Sequence, residues 1–480
     1  MAKFYVSTPI YYINAPAHIG NAYTTVAADV LARYYRQQND EVFFSVGTDE
    51  NSQKTVKAAE QQGLPVGEYA DALAAQWKLV WDRLNISYDR FVRTTEQDHQ
   101  TAVYAMFERL QASGDIYKDT YRGLYCEGCE GFVRPGDLKN GLCPDHQVAP
   151  QEIEEENYFF KLSRYQQALL DHITANPEFI QPESRRNEVV AFITRGLDDF
   201  SISREGKEWG IPYPGDPAHK IYVWVEALMN YLTVTGYPAA GYESIWPADV
   251  HLVGKDIIKF HCVYWPALLM SAELPLPRTV MANGFLNIGG TKISKSLGNA
   301  IDPLQLVETY GVDALRYILL RSTPFGQDGD FTMERFEAVY NSDLANDLGN
   351  LVSRVAAMIT KYQEGTIGPA ADPAHDTSPY HSAIKNFRFD LALEQVANFT
   401  KDLNLYIEEE KPWQVAREDP EHLQEILAYL ASNLVRVGQM LQPFMPETGE
   451  KIATMFGGTQ LIPIEGTLFP KSESHPTDTE

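Results

Sequence analysis

Residues 4 to 47 most constrain what this chain can become. Phe4 to Ser7 reads as a short strand, a loop containing Pro and Asn follows, and a helix is expected from about His18 to Gln37. Glu41-Val42-Phe43-Phe44-Ser45-Val46-Gly47 is then a nearly continuous apolar run. That is the pattern of a strand buried on both faces of a parallel sheet. Strand, helix and strand in so short a span make a βαβ unit.

The rest of the 480 residues must extend or interrupt that unit. At roughly 150 residues per domain the chain has room for about three. From about 116 to 215 the rhythm breaks: a cysteine cluster, the acidic run Glu152 to Glu156 and many Gly and Pro read as an insertion. Ile221 to Val225, His251 to Val253 and Thr279 to Ala282 read as returning strands. After about Ser322 the periodicity is helical, with Leu344, Leu348, Leu351, Val352 and Val355 on one stripe and Leu423, Leu427, Leu430, Leu434, Val437 and Leu441 on another. A bundle is the natural outcome, followed by a polar tail expected to fray from Pro470.

A hydrophobic fraction of 44% and a charged fraction of 22% exclude a disordered chain. No window reaches the roughly 18 apolar residues of a membrane span, and the first residues lack the apolar core of a signal peptide. A cytoplasmic protein without a membrane partner is expected. Lys and Arg number 40 against 65 Asp and Glu, a net charge of −25. That argues against indiscriminate coating of nucleic acid, although basic residues could still line one face.

Three elements carry chemistry. His18-Ile19-Gly20-Asn21 lies between a strand end and a helix start, where N–H groups and the helix dipole favour an anion. Gly20 lets a nucleotide approach the backbone, and His18 can donate to a phosphate oxygen. Lys292-Ile293-Ser294-Lys295-Ser296 sits between Gly289-Gly290 and Gly298-Asn299, so a loop with two lysines and two serines can clamp a polyphosphate. Cys126-x2-Cys129-x13-Cys143-x2-His146 presents three thiolates and an imidazole, a tetrahedral zinc set with no open position and therefore structural. Cys262 stands apart in apolar sequence and reads as core.

The pairing of the His-Ile-Gly element with a distant Lys-x-Ser-Lys-Ser loop resembles the double signature of class I aminoacyl-tRNA synthetases, with Asn21 where a second His is usual. Thr8-Pro9-Ile10-Tyr11-Tyr12, Gly47-Thr48-Asp49-Glu50, Val223-Trp224 with Ala227, Gly254-Lys255-Asp256, the knuckle and Lys411-Pro412-Trp413 are together similar to the methionyl-tRNA synthetase family, from about residue 4 to 460. Glu226 stands where that family often has Asp, and Asn51-Ser52 where His-Gly is frequent.

The resemblance implies an α/β fold: a Rossmann-like parallel-sheet catalytic domain (1–115 and 216–322) with an inserted zinc-knuckle module (116–215), an all-α anticodon-binding bundle (323–465) and a polar tail (466–480). It implies a methionine pocket of Ile10, Tyr12, Asp49, Trp224, Ala227, Leu228, Tyr231, Ile257 and His261, with Asp49 facing the substrate's ammonium. ATP, brought with magnesium, would meet His18, Gly20, Asn21, Gly254, Asp256, Lys292, Ser294 and Lys295, of which His18, Asn21, Lys292 and Lys295 are the catalytic set. Asn350, Arg354, Pro412 and Trp413 would face the CAU anticodon of methionine tRNA. The expected partners are therefore methionine tRNA, ATP and L-methionine.

Relatives charging Leu, Val or Ile would be expected to carry a large editing insertion, and a Cys-charging enzyme a zinc in the pocket. A related nucleotidyltransferase would not need the helical third, and a non-charging tRNA-binding protein would not need both phosphate elements. A monomer with one structural zinc is expected.

Overall fold

The computed structural model describes residues 2–126, 128, 131–133, 135–144, 147–292, 301–369 and 375–471. Six strands form a wholly parallel sheet: β1 (Lys3–Tyr12), β2 (Glu41–Asp49), β3 (Arg90–Arg93), β4 (Ile180–Gln181), β5 (Val250–Gly254) and β6 (Thr279–Asn283), in the order β3-β2-β1-β5-β6-β4. Helix α1 (Ile19–Gln37) joins β1 to β2 as the sequence led us to expect. Because strand side chains alternate, Phe4 and Val6 enter one core while Tyr5 enters the other.

The order reverses between β1 and β5. There β1 stays paired with β2 as far as Tyr12 and Asp49, but its pairing with β5 runs only through Val6 and Ser7. A register shift lies between Ser7 and Ile10, where Pro9 has no N–H for the ladder. The strand ends therefore part and open a crevice at the carboxyl edge of the sheet, where open α/β folds place ligands.

Two expectations need correction. Ile221 to Val225 is not a strand: β-structure spans Asp216–Ile221 in an antiparallel sheet, and the chain then turns into helix α2 (Val223–Leu228). An apolar run of that length does not separate a buried strand from a buried helix. The stretch from 116 to 215 is also not wholly separate from the parallel sheet. Its strands Gly131–Val133, Ile116–Cys126, Gln151–Phe160 and Phe200–Ser201 form their own antiparallel sheet, yet β4 leaves it to pair with β6.

The helical third follows the leucine stripes. Helices α3 (Asn350–Gln363), α4 (Phe389–Glu410), α5 (Pro412–Glu418) and α6 (Pro420–Leu441) carry much of it, and every residue of both stripes is buried. One short strand, Gly329–Asp330, interrupts the helices and pairs with Leu286–Ile288. The tail is docked at its start: Phe469 is buried and Pro470 accepts a bond from the Tyr340 hydroxyl. Residues 472–480 lie outside the described ones.

Bundle and sheet share one apolar core and a buried charge node. Asp29 of α1 accepts from Arg33 at 2.7 Å and from Arg316 at 2.6 Å. Arg316 also donates to the carbonyls of Leu84, Pro443 and Phe444. Both partners are fully buried, so removing one would strand the other at a cost of about 3–5 kcal/mol.

Candidate active site

The crevice collects residues from the ends of β1, β2 and β5. His18 caps α1: its Nδ1 accepts the Gly20 N–H at 3.1 Å, and its own N–H is accepted by the Asn21 side-chain oxygen at 3.1 Å. This reciprocal box is what Asn supplies at position 21. With Nδ1 accepting, a neutral His18 ring carries its proton on Nε2. The approach to the helix is held by Trp77, which stacks on Tyr11 and donates to the Ala15 carbonyl at 3.0 Å. The Ile19 N–H bonds the Ile301 carbonyl at 3.1 Å, so the segment just past the Lys-Ser element lies against the start of α1. Lys292 ends a short strand opposite Asn287. Ser294 and Lys295 lie outside the described residues.

At the end of β5, Gly254 begins a short 3-10 turn. A Cβ there would lie 2.6 Å from the Asp256 carboxylate oxygen, so Asp256 folds back closely over Gly254. Lys255 is tied to Asp328 at 2.6 Å and is not part of the opening.

Several residues of the expected amino-acid set meet one another. Tyr12 and Asp49 end their strands side by side, and Ile10 lies opposite Gly47. A Cβ at Gly47 would sit 2.3 Å from the Val92 carbonyl and 2.9 Å from Ile10 Cγ2, so only glycine lets the three strands close here. Tyr12 meets Trp224 edge-on at 5.9 Å, and Trp224 stacks on Phe260 at 4.0 Å. Of the expected set, Ile10, Tyr12, Trp224 and Ile257 are half-buried and make its outer part, while Asp49, Ala227, Leu228, Tyr231 and His261 are buried and make its floor.

The floor is wired by one chain of hydrogen bonds. His261 lies in a wide π-helical turn, Phe260–Tyr264, and its Nδ1–H donates to the Ile257 carbonyl at 3.0 Å. Its Nε2 is therefore an acceptor, and the Tyr231 hydroxyl, 2.7 Å away, donates to it. Burial lowers the His261 pKa to about 4 and pushes that of Tyr231 well up, so both stay neutral. Behind them, buried His251 bonds Ser7 at 2.6 Å and lies against the Tyr231 ring.

Several neighbours escaped the sequence reading. Glu50, beside Asp49, is buried and gripped by Arg93 through two bonds of 2.8 and 3.0 Å, with Thr48 and Thr95 donating as well. Glu226 on α2 is buried against His99. Neither pairing has a local signal, since the partners are far apart in sequence. Phe260 is a third such neighbour, since its stack on Trp224 is a tertiary contact.

Of the knuckle residues, Cys126 and Cys143 are described; both are buried and neither is in a disulfide. Cys143 opens a tight turn in which Gln147 N–H returns to its carbonyl and its own N–H reaches Val148. Two buried thiols, one of them on such a turn, fit a thiolate-bound metal. Cys129 and His146 lie outside the described residues, and among the described residues no group of three ligands forms. No helix among them is long and apolar enough to cross a membrane.

In the bundle, Asn350 and Arg354 share α3, and Arg354 bonds Glu408 at 2.6 Å. Lys411 adopts a left-handed conformation, Pro412 is buried, and Trp413 is 40% exposed at the start of α5.

Comparison with known proteins agrees with this arrangement. Residues 4–152 and 126–356 match the family model of tRNA synthetases class I (M), and residues 378–480 that of the anticodon-binding domain of tRNA ligase. The chain is 47% identical to the methionine–tRNA ligase of Streptomyces coelicolor, over 95% of this chain and 89% of that one. It is 43% identical to that of Thermosynechococcus vestitus, over 97% and 92%. A solved structure of Mycobacterium tuberculosis methionyl-tRNA synthetase in complex with methionyl-adenylate has a TM-score of 0.92 at 39% identity, covering 98% of this chain and 100% of that one.

Proposed function

The chain belongs to the class I methionyl-tRNA synthetases and acts as a methionine–tRNA ligase, and from that premise we propose how its residues divide the work. Methionine's carboxylate attacks the α-phosphate of ATP, which arrives with magnesium; the new P–O bond gives methionyl-adenylate and pyrophosphate leaves. A terminal ribose hydroxyl of methionine tRNA then attacks the activated carbonyl, and AMP leaves. Neither step needs a protein nucleophile. Both need positioning and charge stabilisation.

Asp49 holds the ammonium, a buried carboxylate being the natural partner of a buried cation. Ile10, Tyr12, Trp224, Ala227, Leu228, Ile257 and His261 enclose the thioether, which favours contact with rings. Tyr231, its proton committed to His261, offers the pocket a lone pair and an aromatic edge. His18 Nε2–H, the amide of Asn21 and the backbone at Gly20 face the phosphates at the start of α1. Gly254 and Asp256 receive the adenosine. Lys292, Ser294 and Lys295 close over the β- and γ-phosphates as charge develops there. Asn350, Arg354, Pro412 and Trp413 read the anticodon loop, where bases are splayed.

On this reading residues 1–115 and 216–322 are halves of the catalytic domain, 116–215 the connective module, and 323–465 the anticodon domain. The molecule works as a cytoplasmic monomer, which sedimentation of the purified chain tests.

Cys126, Cys129, Cys143 and His146 hold one structural zinc, which ties the knuckle together and takes no part in the reaction. Cys126→Ser lowers the zinc content, measured by elemental analysis, and loosens the module while methionine-dependent exchange persists. Metal-free protein of undiminished stability and activity speaks against the zinc.

What supports the functional reading is the capped His18 at the start of α1, together with Asp49 paired with Tyr12 at the strand ends and the buried Tyr231–His261 bond. ATP–pyrophosphate exchange across a panel of amino acids tests it. Methionine alone should support exchange; support by another amino acid, or by none, overturns the reading.

A further inference from the structure

Behind the methionine pocket lies a buried carboxyl that the mechanism above does not use. Glu226 sits on α2 between Val225 and Ala227, and its Oε2 is 2.8 Å from His99 Nε2, both side chains being 0% exposed. His99 belongs to the helix Gln97–Ala112, so this contact joins two helices across the back of the pocket. On its other side, His99 Nδ1 is 2.9 Å from the Thr233 hydroxyl oxygen.

Counting protons assigns the donors. The Thr233 hydroxyl has one proton and donates it to the Met229 carbonyl at 3.1 Å. With its proton given to that carbonyl the hydroxyl accepts from His99, and Nδ1 then carries the ring hydrogen. Burial lowers the His99 pKa to about 4, against the opposing pull of Asp98 and Glu96, so the ring is neutral and Nε2 bears a lone pair. An ionised Glu226 would set lone pair against lone pair at 2.8 Å. In that arrangement the proton of the contact comes from the carboxyl.

The surroundings agree. Burial raises the Glu226 pKa well above the ordinary carboxylate range and the Glu50 charge adds to it, while Asn51 pulls the other way. Glu50 is itself matched by Arg93.

We propose that Glu226 is a positioning residue, a neutral carboxylic acid that donates to His99 and so fixes α2 and its Trp224, Ala227 and Leu228 against the methionine side chain. This rests on the crevice being the methionine pocket. Two features make such a brace necessary. Helix α2 is only six residues long and has no side-chain cap, so its placement depends on tertiary contacts. A neutral Glu226 also adds no second counter-ion behind the pocket, leaving Asp49 to meet the ammonium.

The test compares Glu226→Gln with Glu226→Leu in methionine-dependent ATP–pyrophosphate exchange. Gln presents an N–H at the same place, so its KM for methionine should stay within about threefold of the parent value. Leu keeps the volume but leaves His99 Nε2 without a donor, and its KM should rise about tenfold or more, with kcat within about threefold. A Gln variant as impaired as Leu means the carboxyl is ionised and overturns the proposal. So does a Leu variant with the parent KM, or a fall in kcat at constant KM. If the Leu variant does not accumulate, an infrared difference spectrum of the parent protein against Glu226→Gln decides: the C=O band of a protonated carboxyl supports the neutral acid, and a carboxylate band alone overturns it. Failure of the pocket assignment would look different, since the parent protein itself would then show no methionine-dependent exchange.

Discussion

On the proposed assignments, the methionine pocket and the RNA-facing end of the bundle are built on opposite plans. In the pocket every floor residue is buried, and its hydrogen-bonding groups are set by one another, from Ile257 through His261 to Tyr231. In the bundle Trp413 is left 40% exposed, and Arg354 pairs with Glu408, with both side chains partly in solvent. The difference follows from the ligands. A small molecule gives up binding energy only when it is enclosed and desolvated. A polyanion meets a chain of net charge −25, so it must be caught at a few exposed points. The Arg354–Glu408 pair costs little to exchange for RNA, because exposed pairs contribute about 0–1 kcal/mol.

Three substitutions would break or sharpen that contrast. Lys295→Ala has the largest expected effect. Exchange should fall about 10²–10³-fold with the KM for methionine little changed, because its charge is offered mainly to the transition state. Each tenfold loss is about 1.4 kcal/mol. Trp224→Ala comes next. It removes the wall stacked on Phe260, so the KM for methionine should rise roughly 10- to 100-fold, as deletion of a large enclosing side chain does. If these two variants show the same split between kcat and KM, the division of roles inside the cleft is wrong.

Trp413→Ala should be the mildest. Aminoacylation should fall about tenfold, since a base stacked on an aromatic ring is worth about 1–3 kcal/mol. Exchange should be normal, and stability should move by less than about 0.5 kcal/mol, as at other exposed positions. A loss of several kcal/mol with both activities falling together would mean that Trp413 packs the bundle, and the contrast between the two regions would collapse.

Much of the local structure around the start of α1 was legible from its residue types. His18, Gly20 and Asn21 lie where the strand–loop–helix pattern put them, and the reciprocal capping bonds give Asn21 a physical role. The leucine stripes marked the bundle core correctly. The pocket residues came from the resemblance alone, because Ile10, Asp49, Trp224 and His261 have no shared periodicity. The misread strand at Ile221 to Val225 shows why: an apolar pentapeptide satisfies either a strand or a helix until its neighbours choose. The β4 excursion had the same cause, since two residues, Ile180 and Gln181, are too short a run to announce a strand.

The amino-acid sequence by itself determined the parallel βαβ start, the cap at the start of α1 and the faces of the helices. These depend on neighbours within a few residues, through backbone capping and apolar periodicity. Tertiary structure alone decided which side chains face each other across the crevice. Arg93 reaches Glu50, His99 reaches Glu226 and Arg316 reaches Asp29, each across a long stretch of chain. Burial then determines which of these groups is charged, because the cost of a charge depends on the solvent it has lost, and that loss exists only once the elements have packed.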